Sequence, residues 1–458
     1  MTQEIYDLCI VGGGINGAGI ARDAAGRGLK VLLVEQGDFA GCTSSASSKM
    51  IHGGLRYLEF YDFGLVRKSL AEREVLMEIA SQIVTPMEFC IPHQNTIRPA
   101  WMVRLGLFIY DHLWPRKKLN ASSWINLKSH KYGIGLKKAL GRGFTYSDCW
   151  VDDARLVILN ILDAADHGAD IRNYTSCMSL TAKGDYWDIL LQDVMSGKEQ
   201  QVKAKAVVNA TGPYAFDFLD HTGHVLNDTP HLRLVQGTHI AVPRVYEGDH
   251  AYMLQLPDKR VVFVFPYGKY NLCGTTETEF KGDPVEAMAT ASERKYLCDA
   301  LNSHFEKQTN PEEIVWEYSG VRPLFEDLET DVRKLSRDYR LYEDRTNGPL
   351  LLSVFGGKLT TYRALSEQVM DLLKKEFPAL KRSWTATQAL PECPVNLQKP
   401  PEQDDLRYFI QREMARSADD ILWRRTKWGI FLDQSDISWI KEQTPELIKE
   451  IIGHDTAA

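Results

Sequence analysis

Apolar and polar positions near the start of the chain follow the order of a strand, a turn, a helix and a second strand. Residues 6–11 are largely apolar, without polar alternation, which is typical of a buried parallel strand. After a glycine-rich turn, residues 18–27 have helical spacing, and Gly28 stands where the helix should be capped. Another apolar run at residues 30–34 ends in Glu35. The pattern predicts one βαβ unit of an α/β domain.

Later segments carry similar patterns. Residues 204–208 read as a short strand, and residues 261–266 and 271–276 flank a short turn, as in a β-hairpin. Residues 101–114 are almost continuously apolar at helical spacing, and another helix pattern covers residues 404–417. Strands and helices are therefore expected far beyond the first unit.

The glycine-rich turn has the chemistry of a dinucleotide site. Residues 12–17 read GGGING, in which Gly12 permits a tight turn, Gly14 lets the backbone approach a pyrophosphate and Gly17 allows close helix–strand packing. The phosphate would lie at the helix N-terminus, where unpaired N–H groups point at it. Glu35 would accept ribose hydroxyls and repel a 2′-phosphate, which disfavours NADP. A glycine-rich turn in another α/β protein is the alternative, and the acidic residue in register argues against it.

Two stretches of small residues are further candidates for cofactor contacts. The loop at residues 41–49 is rich in hydroxyl side chains, which suit donors to a phosphate or a flavin ring. A small-residue turn at residues 209–213 follows a predicted strand, where the chain can approach a long cofactor. The alternative for residues 41–49 is a solvated linker, and the alternative for residues 209–213 is an ordinary loop. The candidate residues in these stretches are Ser44, Ser45, Ser47, Lys49, Ala210 and Gly212.

Composition excludes several classes of protein. The 458 residues suffice for two or three domains, and 44% hydrophobic and 25% charged residues are ordinary for a soluble globular protein. A formal charge of −7 disfavours a global nucleic-acid binder. The 8 cysteines form neither a CxxC pair nor a Cys/His cluster, so we expect no metal site. Apolar runs all stay below the roughly 20 residues that cross a bilayer, and the totals indicate a reduced, cytoplasmic chain.

The charge is unevenly distributed, and this changes the interpretation of the apolar helix. Residues 98–142 contain ten Lys or Arg residues and one acidic residue, Asp111, so this segment carries +9 and the rest of the chain −16. Aromatic residues at the end of a helix, followed by basic residues 116–118, suit an interfacial helix that lies in one leaflet. A buried core helix before a solvated basic loop is the alternative. We expect contact with a membrane surface through residues 101–118.

Six further motifs lie at residues 44–59, 142–149, 150–156, 237–239, 319–323 and 355–363. Together they resemble the FAD-dependent glycerol-3-phosphate dehydrogenases, most closely the bacterial aerobic, respiratory type. The resemblance implies FAD as the cofactor. It also implies an α/β fold with a Rossmann-like FAD-binding domain of the D-amino-acid-oxidase or glutathione-reductase-2 type, an antiparallel-sheet substrate domain and a small helical C-terminal domain.

The resemblance also implies domain boundaries. The FAD-binding domain would be discontinuous and comprise residues 1–75, 150–225 and 318–375. The substrate domain would comprise residues 76–149 and 226–317, and the C-terminal domain residues 385–458. Residues 419–427 match the tail motif of the family, but residues 391–401 form a short Pro- and Gln-rich connector where the family has several more helices. We therefore expect a shortened C-terminal domain, which leaves a homodimer as an open expectation.

Site residues follow from the same resemblance. Arg322 and Lys358 would lie near the reacting hydroxyl and the flavin, where they stabilise negative charge. Lys49 would stand near the flavin ring, with a surface lysine as the alternative. Further cofactor contacts are expected from Gly357, Lys358, Leu359 and Thr360.

The substrate would be held by a second set of residues. Arg56, a phosphate partner, and Tyr57 would shape the site, and Thr276 is a weaker candidate. Either His52 or His239 would be the general base, since His52 precedes a glycine pair and His239 follows Gly237 and Thr238, and the sequence does not choose between them. An ordinary structural histidine is the alternative for each.

The favoured function is the oxidation of sn-glycerol 3-phosphate to dihydroxyacetone phosphate, with electrons passed to a membrane quinone. The protein would then be peripheral on the inner face of the cytoplasmic membrane. Two alternatives stay open: an oxidase of the same fold that reduces oxygen to hydrogen peroxide, and a catalytically silent flavin-binding protein.

Overall fold

A computed structural model describes residues 5–94, 97–224, 232–325, 338–346 and 348–453. Its strands are β1 (Ile5–Val11), β2 (Val31–Val34), β3 (Met50–Ile51), β4 (Val84–Pro92), β5 (Ser123–Asn126), β6 (Arg142–Val151), β7 (Asp170–Arg172), β8 (Thr175–Lys183), β9 (Tyr186–Asp193), β10 (Glu199–Asn209), β11 (Leu232–Pro243), β12 (Ala251–Gln255), β13 (Val261–Tyr267), β14 (Tyr270–Gly274), β15 (Thr278–Glu279), β16 (Trp316–Phe325), β17 (Arg340–Asp344) and β18 (Leu351–Phe355). Its helices are α1 (Ile15–Gly26), α2 (Phe63–Ile79), α3 (Ala100–His112), α4 (Asp153–Asp166), α5 (Ala215–His221), α6 (Ala291–His304), α7 (Tyr362–Leu373), α8 (Gln403–Gln411), α9 (Trp428–Phe431) and α10 (Gln434–Ile451).

The described residues form two compact units. The first unit contains those of Met1–Ser45, Asp152–Pro230 and Arg337–Ala458, and the second contains those of Ala46–Val151 and His231–Ser336. Each unit is therefore assembled from separate stretches of the chain. The three-domain boundaries that the resemblance implies stay a prediction.

A largely parallel sheet forms the centre of the first unit. Its strand order is β17-β18-β10-β1-β2-β7, and β9 and β8 continue it in antiparallel fashion from β10. The parallel register sets Val11 opposite both Val34 and Asn209, and Asn209 opposite Ser353. The carboxyl ends of β1, β2, β10 and β18 therefore meet at one edge of the sheet, and the turns that follow them converge.

The predicted βαβ unit at the start of the chain is present. α1 begins at Ile15, three residues earlier than its pattern predicts, because the backbone is still extended at Gly14 and helical directly after it. α1 ends at Gly26, and Gly28 takes φ +94°, a left-handed conformation that suits glycine at a helix C-terminus. The N–H of Gly28 donates to the carbonyl of Ala25 at 2.9 Å.

A ten-stranded, mostly antiparallel sheet organises the second unit. Its order is β15-β11-β14-β13-β12-β4-β6-β3, with β16 beside β11 and β5 beside β6. The predicted hairpin is formed by β13 and β14. His239 lies opposite Gly274, and Gly274 lies opposite Phe263, so these residues form one row across three strands. Buried side chains of α6, among them Leu297 and Leu301, pack in the core of this unit.

The C-terminal helices share a small apolar core within the first unit. α8, α9 and α10 contribute Phe409, Trp428 and Leu447, which are all buried. The helix expected over residues 404–417 is shorter than predicted: α8 ends at Gln411, and Met414 takes φ +57°, which no α-helix accommodates. A π-helical turn, Asp420–Arg425, precedes α9.

Candidate active site

Glycines bring α1 close to two strands of the first unit. Gly12 has φ +114°, and a Cβ on it would stand 2.5 Å from the carbonyl oxygen of Ala210. A Cβ on Gly17 would stand 1.9 Å from the carbonyl oxygen of Gly12. α1 starts directly after Gly14, which has no side chain over the first N–H groups of the helix. Gly212, after β10, also takes a positive φ, +64°. The turn thus leaves room for a pyrophosphate close to backbone donors.

Glu35 lies against this turn. Its carboxylate accepts hydrogen bonds from the N–H of Gly13 at 2.6 Å and of Gly37 at 2.9 Å. Burial raises the pKa of Glu35, and these two donors oppose that effect by stabilising the charged form. A carboxylate has about four acceptor positions, so acceptors remain for the ribose hydroxyls that the sequence predicts here.

The serine-rich loop meets the start of α1. Ser44 Oγ accepts a hydrogen bond from the N–H of Ile15 at 3.0 Å, and a Cβ on Gly14 would stand 3.1 Å from that oxygen. Ser45 ends a single 3₁₀ turn, and its hydroxyl donates to the Cys42 carbonyl at 3.3 Å. The loop is thus at the helix N-terminus, where an anion is favoured.

The turn after β18 closes on the same helix. Gly357 takes φ +105°, and the side-chain amide of Asn16 donates to the carbonyl of Gly356 at 3.1 Å. Lys358 precedes a 3₁₀ turn, Leu359–Thr361, whose threonines are buried. Asn16 occupies a variable position of the glycine motif, so only the tertiary contact identifies it as a link between α1 and this turn.

In the second unit, His239 is closely confined. It is 2% exposed, its Nε2 lies 2.9 Å from Ser48 Oγ, and its ring stacks on that of Tyr318 with centroids 4.8 Å apart. Its Nδ1 has no hydrogen-bond partner among the residues that the structure describes. A Cβ on Gly274 would stand 2.0 Å from His239 Cδ2, so only glycine leaves the ring its place.

The ring of His52, which follows β3, lies near the row of the sheet that contains His239. The ring centroid of His52 is 6.5 Å from that of Phe263, which shares the row of His239. Burial lowers the pKa of His239 well below its ordinary value, and the charges of Arg322 and Lys49 lower it further. His239 is therefore a neutral imidazole at pH 7, the form that can accept a proton.

Tyr318, which the sequence did not indicate, connects β16 with the serine loop. Its hydroxyl donates to the carbonyl of Ser47 at 2.8 Å, and Lys49 Nζ lies 5.1 Å from its ring centroid. Ser47 Oγ also accepts a hydrogen bond from the N–H of Lys49 at 2.9 Å. Lys49 is fully buried, which contradicts the surface-lysine alternative. Tyr318 directly precedes the motif at residues 319–323, so a wider motif would have included it.

Arg322 is held between a glycine and a carbonyl. Its Nη2 donates to the Thr276 carbonyl at 3.5 Å, and a Cβ on Gly237 would stand 2.6 Å from that nitrogen. The Thr276 hydroxyl donates to Glu293 at 2.7 Å and accepts from the N–H of Thr238 at 2.9 Å. Thr276 therefore contacts Arg322 through its backbone, while its side chain is bound to protein groups.

Arg56 lies beside a carboxylate that the sequence analysis did not single out. Its guanidinium is 3.3–3.5 Å from the oxygens of Glu277, a mostly buried residue next to Thr276 in the chain. Gly54 takes φ +82°, and a Cβ on it would stand 2.1 Å from the ring of Tyr57. The long N···O distances describe a loose ion pair.

A buried polar cluster holds the backbone beside His52. The N–H of Gly53 donates to Tyr110 Oη at 2.8 Å, and that hydroxyl donates to Asp148 at 2.8 Å. Arg73 Nη1 donates to Asp148 at 2.7 Å. Burial raises the pKa of Asp148, and the charge of Arg73 opposes that rise. These residues come from α2, α3 and β6, so no local pattern in the sequence relates them.

α3 buries one face and exposes an apolar one. Its buried residues are Val103, Leu107 and Tyr110. Large apolar side chains on its exposed face are Trp101 at 65%, Met102 at 44%, Leu105 at 50% and Phe108 at 51% exposure. α3 is therefore not a helix buried all round. Within the described ranges, no helix has both the length and the apolar character needed to cross a membrane.

Comparison with known sequences identifies relatives along nearly the whole chain. The profile of the family DAO, FAD dependent oxidoreductase, matches residues 7–363. The chain is 43% identical to a glycerol-3-phosphate dehydrogenase of Pseudomonas aeruginosa, over 94% of this chain and 93% of the relative. It is 41% identical to the aerobic glycerol-3-phosphate dehydrogenase of Escherichia coli, over 97% and 99%. It is also 40% identical to a D-erythritol 1-phosphate dehydrogenase of Brucella abortus, over 94% and 96%.

Among solved structures, a glycerol-3-phosphate dehydrogenase from Bacillus halodurans complexed with FAD has a similar fold. The TM-score is 0.76 at 23% identity, over 99% of this chain and 92% of that chain. The predicted α/β fold with an FAD-binding domain and a helical C-terminal region is thereby confirmed, and FAD is the cofactor of the family. The alignment with the Escherichia coli relative runs over 504 positions, more than the 458 residues here, so that relative has residues that this chain lacks.

Proposed function

Because this chain belongs to the FAD dependent oxidoreductases and, among them, to the glycerol-3-phosphate dehydrogenases, we propose that it oxidises sn-glycerol 3-phosphate to dihydroxyacetone phosphate and passes the electrons to a membrane quinone. FAD, when bound, accepts the hydride that leaves the substrate carbon. The observation that carries the proposal is the buried, neutral His239 next to a cationic Arg322.

The first unit contains the groups that would hold FAD. The pyrophosphate would lie at the turn Gly12–Gly17, where added Cβ atoms would clash with backbone, and the ribose would be bound by Glu35. Ser44, Ala210 and the turn beginning at Gly357 follow the strand ends that meet at the same edge of the sheet. Their convergence supports these residues as cofactor contacts.

His239 is the better candidate for the general base. If Nε2–H donates to Ser48, the lone pair of Nδ1 is left to take the proton of the substrate hydroxyl. The neighbouring charges of Arg322 and Lys49, which keep His239 neutral, also favour the alkoxide that develops as the proton leaves. His52 lies beside Phe263, at the other end of the row from His239, and we assign it a position in the substrate site.

Charged side chains would bind the phosphate and the reacting oxygen. Arg56 would exchange its loose pair with Glu277 for a phosphate, which offers a guanidinium a better bidentate geometry. Tyr57 is adjacent to Arg56 and would line the same site. Arg322 would stabilise negative charge on the reacting oxygen, and Lys358 in the first unit would do so near the flavin.

An anaerobic reduction experiment tests the reaction and the base together. Adding glycerol 3-phosphate without oxygen should bleach the flavin absorbance of the wild-type protein. His239→Asn should slow bleaching by about 100-fold or more while flavin stays bound, and His52→Asn should be affected less. Flavin-replete protein that does not bleach would refute the enzymatic function, and a larger loss in His52→Asn would reverse the assignment of the base.

A second candidate substrate is a longer polyol phosphate. The relative from Brucella abortus, a D-erythritol 1-phosphate dehydrogenase, is 40% identical, close to the 41% and 43% of the glycerol-3-phosphate dehydrogenases. We expect a higher kcat/KM for glycerol 3-phosphate than for D-erythritol 1-phosphate. A higher kcat/KM for D-erythritol 1-phosphate would instead identify that polyol phosphate as the substrate of the same reaction.

The acceptor and the location are argued from α3. Its exposed apolar face, from Trp101 to Phe108, followed by basic residues 116–118, suits a helix at an anionic surface, where a quinone is accessible. Phe108→Ser should reduce sedimentation with anionic liposomes at low salt. Met288→Ser removes an even more exposed apolar side chain elsewhere, 74% against 51% for Phe108, and is the control. Equal sedimentation of both variants and wild type would refute this surface, and stoichiometric peroxide without quinone would identify an oxidase instead.

A further inference from the structure

Two consecutive arginines near the end of the chain contact a carboxylate near its beginning. Arg425 donates from Nη1 and Nη2 to the two oxygens of Asp38, each at 2.7 Å. Arg424 also donates to Asp38 and binds Asp420 at 2.6 Å. The side chains of Arg425 and Asp38 are 0% and 2% exposed. A bidentate, desolvated pair of this kind holds both partners in one geometry.

The loop that contains Asp38 packs directly against the phosphate-binding turn. A Cβ on Gly13 would stand 2.8 Å from the ring of Phe39, and the Arg425 guanidinium lies 6.0 Å from the centroid of that ring. The N–H of Ala40 donates to the carbonyl of Gly13 at 3.1 Å. A short series of contacts therefore leads from Arg425 to the backbone that would carry the pyrophosphate.

The conformation of this loop depends on its surroundings. Ala40 takes φ +59°, a left-handed conformation that a residue with a side chain keeps only where neighbouring contacts impose it. Burial alone would raise the pKa of Asp38, but the charges of Arg425 and Arg424 outweigh burial and lower it. Asp38 is therefore ionised, and each arginine has a charged partner to hold.

We propose that Arg425 is a positioning residue of the cofactor site, which holds Asp38 so that the loop keeps the Gly12–Gly17 turn in its binding conformation. The C-terminal segment would thereby set the affinity for FAD. This inference rests on the proposed placement of the FAD pyrophosphate at that turn. The inference gives a function to the tail motif at residues 419–427, which contains none of the residues assigned to catalysis.

FAD affinity of the full chain tests the inference. FAD is removed from the holoenzyme under mild conditions and titrated back, and its dissociation constant is measured from the change in flavin fluorescence. Arg425→Met should weaken FAD binding by about tenfold or more, while the turnover per bound flavin stays unchanged and excess FAD restores activity. Arg424→Ala should weaken it less, because the bidentate pair remains.

Arg22 provides a matched control in the same unit. Arg22 is as buried as Arg425 and binds Asp163 of α4 and the carbonyl of Gln388. Among the described residues, it has no hydrogen bond to the loop of Asp38. Arg22→Met therefore removes a buried arginine without releasing that loop. It should lower the unfolding temperature and leave the affinity of the folded protein for FAD near the wild-type value.

Each outcome decides the inference. Wild-type FAD affinity in Arg425→Met, or an equal loss in Arg22→Met at matched stability, would overturn it. Should Arg425→Met fail to fold, Arg425→Lys is decisive, because it keeps the charge but cannot form the bidentate pair with Asp38, and wild-type FAD affinity in that variant would overturn the inference. Gly17→Ala tests the placement of FAD. If FAD affinity falls in Gly17→Ala but not in Arg425→Met, only the positioning role is refuted. If FAD affinity falls in neither variant, the placement of FAD at the glycine turn is refuted as well.

Discussion

Gly274→Ala should disable the proposed base by displacing its ring, without removing any functional group that would touch the substrate. The added Cβ would stand 2.0 Å from His239 Cδ2, whereas ordinary van der Waals contact begins at 3.4 Å. The ring must therefore move by roughly 1.4 Å, and a displacement of about 1 Å in a catalytic group costs about 100-fold in rate, or about 2.7 kcal/mol. The ring has little room to move, since Tyr318 stacks on it and Ser48 binds its Nε2.

The assay is the rate of anaerobic flavin reduction by glycerol 3-phosphate in a stopped-flow instrument. Gly274→Ala should slow reduction by about 100-fold at saturating substrate, while the ratio of flavin to protein stays that of the wild type. Gly106→Ala is the control, because a Cβ there, on α3, meets no atom within 4 Å among those described. It should reduce flavin at the wild-type rate.

A rate for Gly274→Ala within threefold of wild type would refute the reasoning. It would mean that the position of the His239 ring does not limit proton transfer, and the base would have to be sought elsewhere. Loss of flavin from Gly274→Ala would also contradict the reasoning, because it would show that the substitution disturbs the first unit and not only the ring of His239.

Three further predictions follow from buried contacts. Tyr110→Phe removes a hydroxyl that donates to the buried Asp148 and accepts from the N–H of Gly53, so it should lower the free energy of unfolding by about 2 kcal/mol in urea denaturation, and a change below about 0.5 kcal/mol would contradict this. Because burial lowers the pKa of His239, the unfolded chain takes up a proton there at a higher pH than the folded protein does, so stability is highest above about pH 6.5 and declines as the pH falls below it. The acid limb of flavin reduction should likewise lie below about pH 6.5, and a limb at about 6.5 assigned to His239 would show that its pKa is not lowered. Gly17→Ala places a Cβ 1.9 Å from the Gly12 carbonyl oxygen, so the purified variant should lack flavin absorbance, and a full complement of FAD would refute that placement.

Local patterns predicted several elements of each unit. The strand before the glycine turn, the acidic residue after β2 and the hairpin β13–β14 are all present, because each depends on a short stretch of sequence. The start of α1 was predicted three residues late, since glycine and asparagine weaken the helical pattern there although the backbone is already helical. The end of α8 was predicted late because the apolar spacing continues as far as Met414, whose backbone is left-handed and cannot be helical.

Residues far apart in the chain could not be related by any local pattern. Tyr110 and Asp148 meet beside His52 only because α3 and β6 pack in one unit. Glu277 follows a predicted contact residue, but its pairing with Arg56 depends on the fold. Arg425 and Asp38 are 387 positions apart, and neither alone indicates a partner.

By itself, the sequence determined the kind of protein: a chain whose glycine turn, acidic ribose residue and long motifs belong to an FAD-dependent oxidoreductase. Such features are readable because backbone conformation and close approach to a phosphate require particular residues at fixed spacing. The tertiary structure showed that His239 is buried beside the charges of Arg322 and Lys49, which supports it as the proposed base, and that the tail motif binds the loop beside the glycine turn. Burial and neighbouring charge set the protonation state of a histidine, and both arise only when distant strands and helices pack together.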